Sequence, residues 1–496
     1  MKISSFLKNK YYLFLYPVIA FLFLLISSTS TSPLYPVYTG DCALYFLMGK
    51  SILNGKILYK DIFDHKGPVL FFIQAAGQLI SFGKTGIFIL QIINLSSVLF
   101  IIRKICLYFI RPAQIMFVFL SMFFLYYMTI GDGNKTEEFC LLLIFIPLLF
   151  AFRFCFSDDA KHPAIYSFIY GICFAITAFI RINNAAVIVA VIIAISIFLV
   201  SEKQLKNLFS NILLFISGFL IICLPIYIYF YFKNALDDMI YATFLHNLKY
   251  SSKDTYKIKL IVFLSFIITF FGIINTLVYK RKNKKDYILQ IIIILGSIFT
   301  FISTYLGTKY FLYYHILDIP ILTLGTLLYI HNSNKKLSDK TKTFFIILII
   351  IAGIIPMTYY SFNRTIDLYK TQFFDHSLLN YPTYPIPPED KNNALGYNVN
   401  SRWYLEQNII PSYKYFTLQE WFSKTDPQIL IDFNEHITQK PPKWLMVRSD
   451  SYTSNPTLNA LLKKKYEVKA VVPERPDIKH VINYDQRGYT LYRLKE

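Results

Sequence analysis

Long apolar runs that alternate with short basic clusters constrain the fold of this chain more than any other feature. Of its 496 residues, 55% are hydrophobic and 18% aromatic, an apolar share above the roughly 45–50% of soluble domains. A helix needs about 20 mainly apolar residues to cross the hydrocarbon core of a bilayer. The pattern therefore predicts an α-helical integral membrane protein that crosses the bilayer many times and contacts membrane lipids.

About eleven segments meet that criterion. They are centred near residues 20, 97, 121, 146, 172, 192, 220, 269, 296, 323 and 351. The first of them, Tyr11 to about Ser27, lacks a small-residue cleavage site, so we interpret it as a retained helix. The run Pro68 to Gly83 is short and carries two glutamines, which favours an amphipathic helix on the outer membrane surface.

The basic residues predict the orientation of these helices. A formal net charge of +20 would suggest nucleic acid in a soluble protein, but here the basic residues flank apolar runs. If the helices alternate, one side of the membrane receives Lys2/Lys8/Lys10, Arg103/Lys104/Arg111, Arg153/Lys161, Lys203/Lys206, Lys280 to Lys285 and Lys335 to Lys342. The positive-inside rule makes that side, with the N-terminus, cytoplasmic.

Three regions follow from this topology. Residues 1–360 form the transmembrane part, with a first outer loop at about 29–85 that is too long for a mere connector. Residues 361–387 form a Pro-rich linker, and residues 388–496 a small outer α/β domain. The run "KWLMVRS" is strand-like and the run "PTLNALLKKKY" is helix-like.

The outer loops hold almost all of the unusual polar residues. These include Asp41, Asp64, His65, Lys66, Asp132, Asn134, Glu137, Glu138, Arg181, Asn183, His246, Lys309, Tyr314 and His315. Such groups are costly near hydrocarbon, so their recurrence at one membrane face indicates a shared polar cavity. Group transfer there needs a carboxylate base and groups that hold an anionic leaving group. Asp41, Glu137 and Glu138 could supply the first, and Arg181, Lys309 and His315 the second.

Each feature also has a purely structural interpretation. Asp41 could be a helix N-cap, and Glu137 and Glu138 could stabilise a helix N-terminus. Tyr314 fits an aromatic interfacial belt, and Arg181 a residue that reaches towards the headgroups. The outward histidines are too scattered to predict a metal site. No cofactor is predicted, and a requirement for a divalent metal ion stays open.

The residues resemble the GT-C superfamily of glycosyltransferases, in particular the dolichyl-phosphate-mannose protein mannosyltransferases and the lipid A aminoarabinose transferases. An acidic residue follows the first helix, the first outer loop closes with "DHKGP", the second carries "GDGNKTEE", and "YYH" begins a late helix. This resemblance implies a GT-C-like helical bundle with a terminal outer domain. It also implies inverting transfer of a sugar from a polyprenyl-phosphate carrier to an envelope glycan or lipid, in the bacterial cytoplasmic membrane.

The resemblance also assigns roles to residues. Asp41 matches the first-loop catalytic aspartate, and Glu137 or Glu138, or less closely Asp132, matches the second-loop acid. Lys66 would face the carrier phosphate together with Arg181, Lys309 and His315. Two positions depart from the family pattern: Cys42 follows Asp41 where the protein mannosyltransferases have a glutamate, and Gln91 stands where they have an arginine.

Two other functions also fit a chain with many helices and outer loops. A polysaccharide polymerase or ligase would rely on arginine-rich outer loops, whereas the outer loops here are richer in carboxylates. A lipid-glycan transporter or flippase would place charges and broken helices at the membrane midplane, whereas the helix centres here are apolar. The sequence names neither the sugar nor the acceptor.

Overall fold

The structure is a computed structural model. It describes residues 11–35, 38, 40–81, 83–249, 258–281, 283–305, 311–333, 386–451, 454–472 and 488–495. The predicted helix near residue 351, Lys309 and nearly all of the predicted linker lie outside these ranges.

Apolar helices occupy the other ten predicted centres. They are α1 (Tyr11–Ser27), α4 (Thr85–Cys106), α5 (Ile115–Thr129), α6 (Thr136–Cys155), α7 (Ala164–Arg181), α8 (Ala186–Ser201), α9 (Leu205–Phe232), α12 (Ile258–Val278), α13 (Asp286–Tyr305) and α14 (Ile319–Ser333). Within the described residues, seven helical stretches are long and apolar enough to cross a membrane. The α-helical membrane fold is therefore confirmed, and the count of eleven spans stays a prediction.

Contacts divide the chain into two units. Unit 1 comprises Met1–Ser28, Phe88–Tyr229 and Ser251–Tyr360. Unit 2 comprises Thr29–Ile87, Phe230–Tyr250 and Ser361–Glu496, so it combines three segments that are distant in sequence.

The helices of unit 1 pack through small residues and end at defined points. Gly171 of α7 and Gly218 of α9 lie against each other's helix backbone: a Cβ on Gly171 would be 2.1 Å from the Phe215 oxygen, and one on Gly218 2.0 Å from the Phe168 oxygen. Helix α7 ends at Arg181, where φ is −166° and ψ 116°. Only 17% of the most apolar part of α9 is buried, which suits a helix with one side towards lipid.

The basic loops of unit 1 meet at one end of its helices. The Lys285 ammonium donates to the carbonyl oxygens of Ser157 and Asp159, each at 2.7 Å. Lys284 pairs with Glu202 at 3.3 Å, and the buried His162 ring contacts Asn211 at 2.7 Å. Three of the predicted cytoplasmic loops therefore lie together in this unit, as a common membrane side requires.

Unit 2 contains two first-loop helices, α2 (Gly40–Leu53) and α3 (Pro68–Ile80), and α10 (Leu236–Ile240) and α11 (His246–Lys249), which flank a π-helical turn at Tyr241–Leu245. Helix α3 begins with proline at its first turn, where a missing N–H costs nothing. It packs closely on α2, since a Cβ on Gly49 would lie 2.7 Å from the Gln74 Cβ. The segment predicted to be an amphipathic helix is thus helical, and its place at the membrane surface stays a prediction.

The C-terminal part of unit 2 is a small α/β structure. It contains β1 (Ala394–Tyr397), β2 (Trp444–Arg448), β3 (Tyr466–Val472), β4 (Tyr489–Leu494), α15 (Ser401–Glu406), α16 (Gln419–Ser423), α17 (Gln428–Gln439) and α18 (Pro456–Lys465). The strand order is β1-β2-β4-β3, with β1 and β2 parallel and the other pairs antiparallel. The predicted strand in "KWLMVRS" and helix in "PTLNALLKKKY" are therefore both present.

Candidate active site

The second outer loop of unit 1 turns sharply before α6. Gly131, Gly133 and Asn134 all have positive φ, at 64°, 83° and 57°, a region that glycine adopts without strain and asparagine tolerates. Gly133 also approaches Ser28 so closely that a Cβ there would be 2.0 Å from the Ser28 Oγ. This turn places the three acidic residues of "GDGNKTEE" at the N-terminal end of α6.

Glu138 lies in a fully buried network of hydrogen bonds. Its Oε1 accepts the backbone N–H of Lys135 at 2.8 Å, and its Oε2 accepts from the Gln91 amide at 2.9 Å and from the Tyr126 hydroxyl at 3.0 Å. The contact to Lys135 is that of a glutamate at N3 reaching back to the N-cap. Both oxygens of Glu138 are therefore engaged in holding the start of α6.

Glu137 instead binds a cation. Its Oε1 accepts from the Arg181 guanidinium at 2.7 Å, and its Oε2 accepts from the Thr136 hydroxyl at 2.7 Å. The guanidinium lies 4.3 Å from the centre of the Tyr314 ring. Because α7 ends at Arg181, the side chain projects from the helix terminus and joins residues that are distant in sequence.

A second cation has a parallel arrangement. The Lys135 ammonium is 2.5 Å from Asp132 Oδ1 and 5.0 Å from the centre of the Tyr313 ring. The Tyr313 and Tyr314 rings are in edge contact, with centres 5.0 Å apart. Each of these two neighbouring tyrosine rings therefore packs against a cation that is already paired with a carboxylate.

His315 is buried beside Tyr314. Its Nδ1 lies 2.6 Å from Asp318 Oδ2, while Asp318 Oδ1 accepts from the Ser265 hydroxyl at 3.1 Å. His315 Nε2 has no partner among the described residues. The Asp318 carboxylate therefore fixes the ring and directs Nε2 away from it.

In unit 2, Asp64, His65 and Lys66 form a compact group. Asp64 Oδ1 accepts the His65 backbone N–H at 2.7 Å, lies 3.1 Å from His65 Nδ1 and is 3.9 Å from the Lys66 ammonium. The Lys66 ammonium is 2.9 Å from His65 Nε2. Burial would raise the pKa of Asp64, but Lys66 and His65 outweigh it and hold the pKa well below its usual range.

His246 packs against this group. Its ring centre is 5.6 Å from that of His65 and 5.6 Å from that of Phe63. Burial, reinforced by His65, lowers the pKa of His246 to about 4. The imidazole is therefore neutral near pH 7.

Asp41 lies in the first turn of α2 and is half-buried. In the same unit, the ammonium of Lys84 donates to the backbone oxygen of Tyr35 and lies 5.5 Å from the centre of the Tyr38 ring. Burial lowers the pKa of Lys84 to about 8.

The structure places the predicted residues in two sets. Asp132, Glu137, Glu138, Arg181, Tyr314 and His315 gather in unit 1, and Asp64, His65, Lys66 and His246 in unit 2, to which Asp41 also belongs. Asn134 is buried in the turn before α6, and Asn183 is exposed while its neighbour Asn184 is buried. Lys135, Tyr126, Asp318 and Lys84 were not predicted from the sequence. Asp318 lies one helical turn after His315, a spacing that could have revealed it.

Within the described ranges, no group of three or more histidine, cysteine, aspartate or glutamate side chains is arranged to hold a metal ion. The polar groups are instead arranged as carboxylates beside cations. Such an arrangement can accept a proton and stabilise an anion.

The sequence matches no protein-family model and no curated protein. The fold, however, is similar to that of ArnT from Cupriavidus metallidurans bound to undecaprenyl phosphate, with a TM-score of 0.59 and 10% sequence identity over 97% of this chain and 98% of that chain. This chain has the GT-C fold. The apo state of the same ArnT aligns with a TM-score of 0.56 and 12% identity over 98% of both chains. The GT-C fold predicted from the motifs is therefore confirmed.

Proposed function

We propose that this protein is a membrane glycosyltransferase that moves a sugar from a polyprenyl-phosphate carrier to an envelope glycan or lipid. The observation that carries this proposal is the GT-C fold, shared over 97% of the chain with a protein that was crystallised with undecaprenyl phosphate. The carboxylates beside cations in both units supply the chemistry that the transfer needs. The transporter and polymerase alternatives have no comparable support.

The proposed reaction is a single displacement with inversion. Asp41 accepts the proton of the acceptor hydroxyl as its oxygen forms a bond to the anomeric carbon. The bond from that carbon to the phosphate oxygen breaks, and polyprenyl phosphate leaves with the electron pair. Proton transfer to a positioned carboxylate typically contributes a factor of about 10²–10⁴ to the rate.

The leaving phosphate needs positive charge that is not already neutralised. Arg181 is bound to Glu137 at 2.7 Å, whereas the carboxylate oxygen nearest to Lys66 among the ion pairs is at 3.9 Å. Since Coulomb energy falls with distance, we assign the main phosphate contact to Lys66. Arg181, Lys309 and His315 are proposed to assist, with Glu137 positioning Arg181 and Glu138 stabilising the start of α6.

The other substrate contacts, organisation and location are proposed with the function. Asp64, His65, Asp132, Asn134, Asn183, His246 and Tyr314 are proposed to line the substrate sites. Residues 1–360 form the catalytic part, residues 361–387 a linker, and residues 388–496 an outer domain. The protein lies in the bacterial cytoplasmic membrane with its N-terminus in the cytoplasm, as the basic loops favour.

The test uses membranes that contain the wild type or Asp41→Asn, supplied with a panel of polyprenyl-phosphate sugars. Release of free carrier phosphate and entry of labelled sugar into envelope glycans are both measured. We expect Asp41→Asn to lower transfer by about a hundredfold or more at normal protein levels, because it loses the base. Asp61→Asn is the matched control, since Asp61 caps a turn of the same loop by accepting the Ile57 N–H at 2.7 Å.

Two further variants separate the second-loop acids. Glu137→Gln should lower transfer without loss of protein, because Arg181 loses its charged partner. Glu138→Gln should mainly lower the amount of folded protein, because an amide nitrogen would face the donors of Gln91 and Tyr126. Normal transfer by Asp41→Asn would contradict the assigned base, and a wild type that uses no carrier would contradict the function.

A further inference from the structure

The backbone around His65 and Lys66 is held by side chains from three parts of unit 2. The Tyr59 hydroxyl donates to the Lys66 carbonyl at 2.6 Å, and the Asn247 amide donates to the His65 carbonyl at 2.7 Å. The His65 N–H donates to Asp64 Oδ1 at 2.7 Å. With both carbonyls and one N–H bound, this short segment presents its side chains from a fixed position.

The contact between Lys66 and His65 determines where the imidazole proton lies. An ammonium group has only donors, so the Lys66 ammonium, 2.9 Å from His65 Nε2, donates and Nε2 accepts. A neutral imidazole carries its proton on the other nitrogen. The proton is therefore on Nδ1, which lies 3.1 Å from Asp64 Oδ1.

Asp64 makes this arrangement the favoured one. The Asp64 side chain is 1% exposed, so its charge acts on its neighbours with little screening by solvent. The contact between Nδ1 and Asp64 Oδ1 does not have hydrogen-bond geometry, so the carboxylate acts through its charge, which favours a proton on the nearby Nδ1. Asp64 and Lys66 thus both favour the tautomer with the proton on Nδ1, and His65 in turn fixes the position of the Lys66 ammonium.

Lys66 keeps its charge available for a ligand. The Lys66 side chain is 14% exposed, and its ammonium is 5.9 Å from the centre of the Tyr45 ring. The atom nearest to the ammonium, His65 Nε2 at 2.9 Å, is neutral, and the Asp64 carboxylate is farther away, at 3.9 Å. A fixed, partly exposed cation of this kind suits a phosphate group.

We propose that Asp64 and His65 are positioning residues, which act through the chain Asp64–His65–Lys66 to hold the Lys66 ammonium where it meets the carrier phosphate. The proposal rests on the proposed function, because that function supplies the phosphate. It goes beyond that function by giving a carboxylate and a histidine of the first loop a defined task.

The first experiment compares two substitutions of the same histidine. The amide of His65→Gln can take the place of Nε2 and still accept from Lys66, whereas the shorter amide of His65→Asn replaces Nδ1 and leaves Lys66 without an acceptor. Both variants keep the Asp64 charge and lose the same aromatic ring. Binding of undecaprenyl phosphate to the full-length protein in detergent is measured for both.

We expect His65→Gln to bind within about threefold of the wild type and His65→Asn to bind about tenfold or more weakly, the effect of losing one charge-assisted hydrogen bond. Lys66→Met should remove most of the binding, while Lys60→Met, at an exposed position of the same loop, should not. Equal binding by His65→Gln and His65→Asn would overturn the proposal, because the ring would then matter only for packing.

The second experiment needs no ligand. Nitrogen-15 NMR of histidine-labelled full-length protein, with the His65 signals identified by their loss in His65→Gln, reports the protonated ring nitrogen. We expect a proton on Nδ1 in the wild type, and a shift towards Nε2 in Lys66→Met. A proton on Nε2 in the wild type would overturn the proposal.

The two experiments separate this proposal from the proposed function. A wild type that binds no undecaprenyl phosphate but carries the His65 proton on Nδ1 would contradict the function and leave the positioning chain supported. Strong binding together with a proton on Nε2 would support the function and contradict the positioning chain.

Discussion

Buried histidines illustrate how position changes the chemistry of a single residue. His162, in the loop before α7, is fully buried, and burial lowers its pKa to about 4, although its contact with Asn211 acts in the opposite direction. Its Nδ1 lies 2.7 Å from the Asn211 oxygen and its Nε2 3.4 Å from the Tyr170 hydroxyl. His162 therefore acts as a neutral link between this loop and α9.

This link predicts acid sensitivity. The pKa of a histidine is about 6.5 in the unfolded chain and about 4 for folded His162, so the unfolded state binds the proton first as the pH falls. The stabilisation is complete above about pH 6.5 and is lost between there and pH 4, by at most about 1.4 kcal/mol per pH unit. Thermal unfolding in detergent at pH 7.5 and pH 5 measures the effect.

The matched variant is His162→Asn, which keeps a donor to Asn211 but cannot titrate. We expect it to be less stable at pH 7.5 and to lose less stability on acidification than the wild type. His331→Asn, in the last turn of α14 in the same unit, should keep the wild-type slope. An unchanged slope in His162→Asn would show that other groups cause the acid response.

Among the helices, small residues decide which pairs can approach. Helices α7 and α9 meet at Gly171 and Gly218, where the backbones are too close for any side chain. In lipid, helix association depends on such close packing more than on hydrophobic burial. The crossing matters for the site because α7 ends at Arg181.

Gly218→Ala should therefore disturb the bundle, since its Cβ would be 2.0 Å from the Phe168 oxygen. We expect a loss of about 1–3 kcal/mol, as for overpacking in a close-packed interior, with reduced transfer because the end of α7 moves. Ser217→Ala, at the adjacent exposed position, is the control. Thermal unfolding of both variants in detergent would check the difference, and equal melting temperatures would contradict the predicted crossing.

For the whole molecule, the main question is which part faces which side of the membrane. The basic loops of unit 1 lie together, as shown by the Lys284–Glu202 pair and the contacts of Lys285. The positive-inside rule predicts that this end faces the cytoplasm. If the chain crosses the membrane eleven times, as the sequence predicts, the C-terminal domain should lie on the outer side.

Cysteine labelling tests this assignment. The six native cysteines are all buried, so background labelling should be low. Lys464→Cys, at an exposed position of α18, should react with a membrane-impermeant maleimide in intact spheroplasts. Lys284→Cys, whose native side chain is 82% exposed, should react only after the membrane is opened. The opposite pattern would invert the topology.

Much of this protein could be predicted from local sequence. Apolar runs determine helix positions because about 20 residues must cross the hydrocarbon. Polar residues could be assigned to the outer loops because a charged side chain is costly in the hydrocarbon core that the helices cross. The motifs in "DHKGP" and "GDGNKTEE" also pointed to the GT-C fold.

Only the tertiary structure decided which of these residues act together. Glu137 and Glu138 are neighbours in sequence, yet one binds Arg181 and the other binds Gln91 and Tyr126. Lys135, which the pattern gave no reason to select, is paired with Asp132 and lies over Tyr313. The physical reason is that the partner of a buried charge is set by helix packing and sharp turns, which bring together segments far apart in the chain.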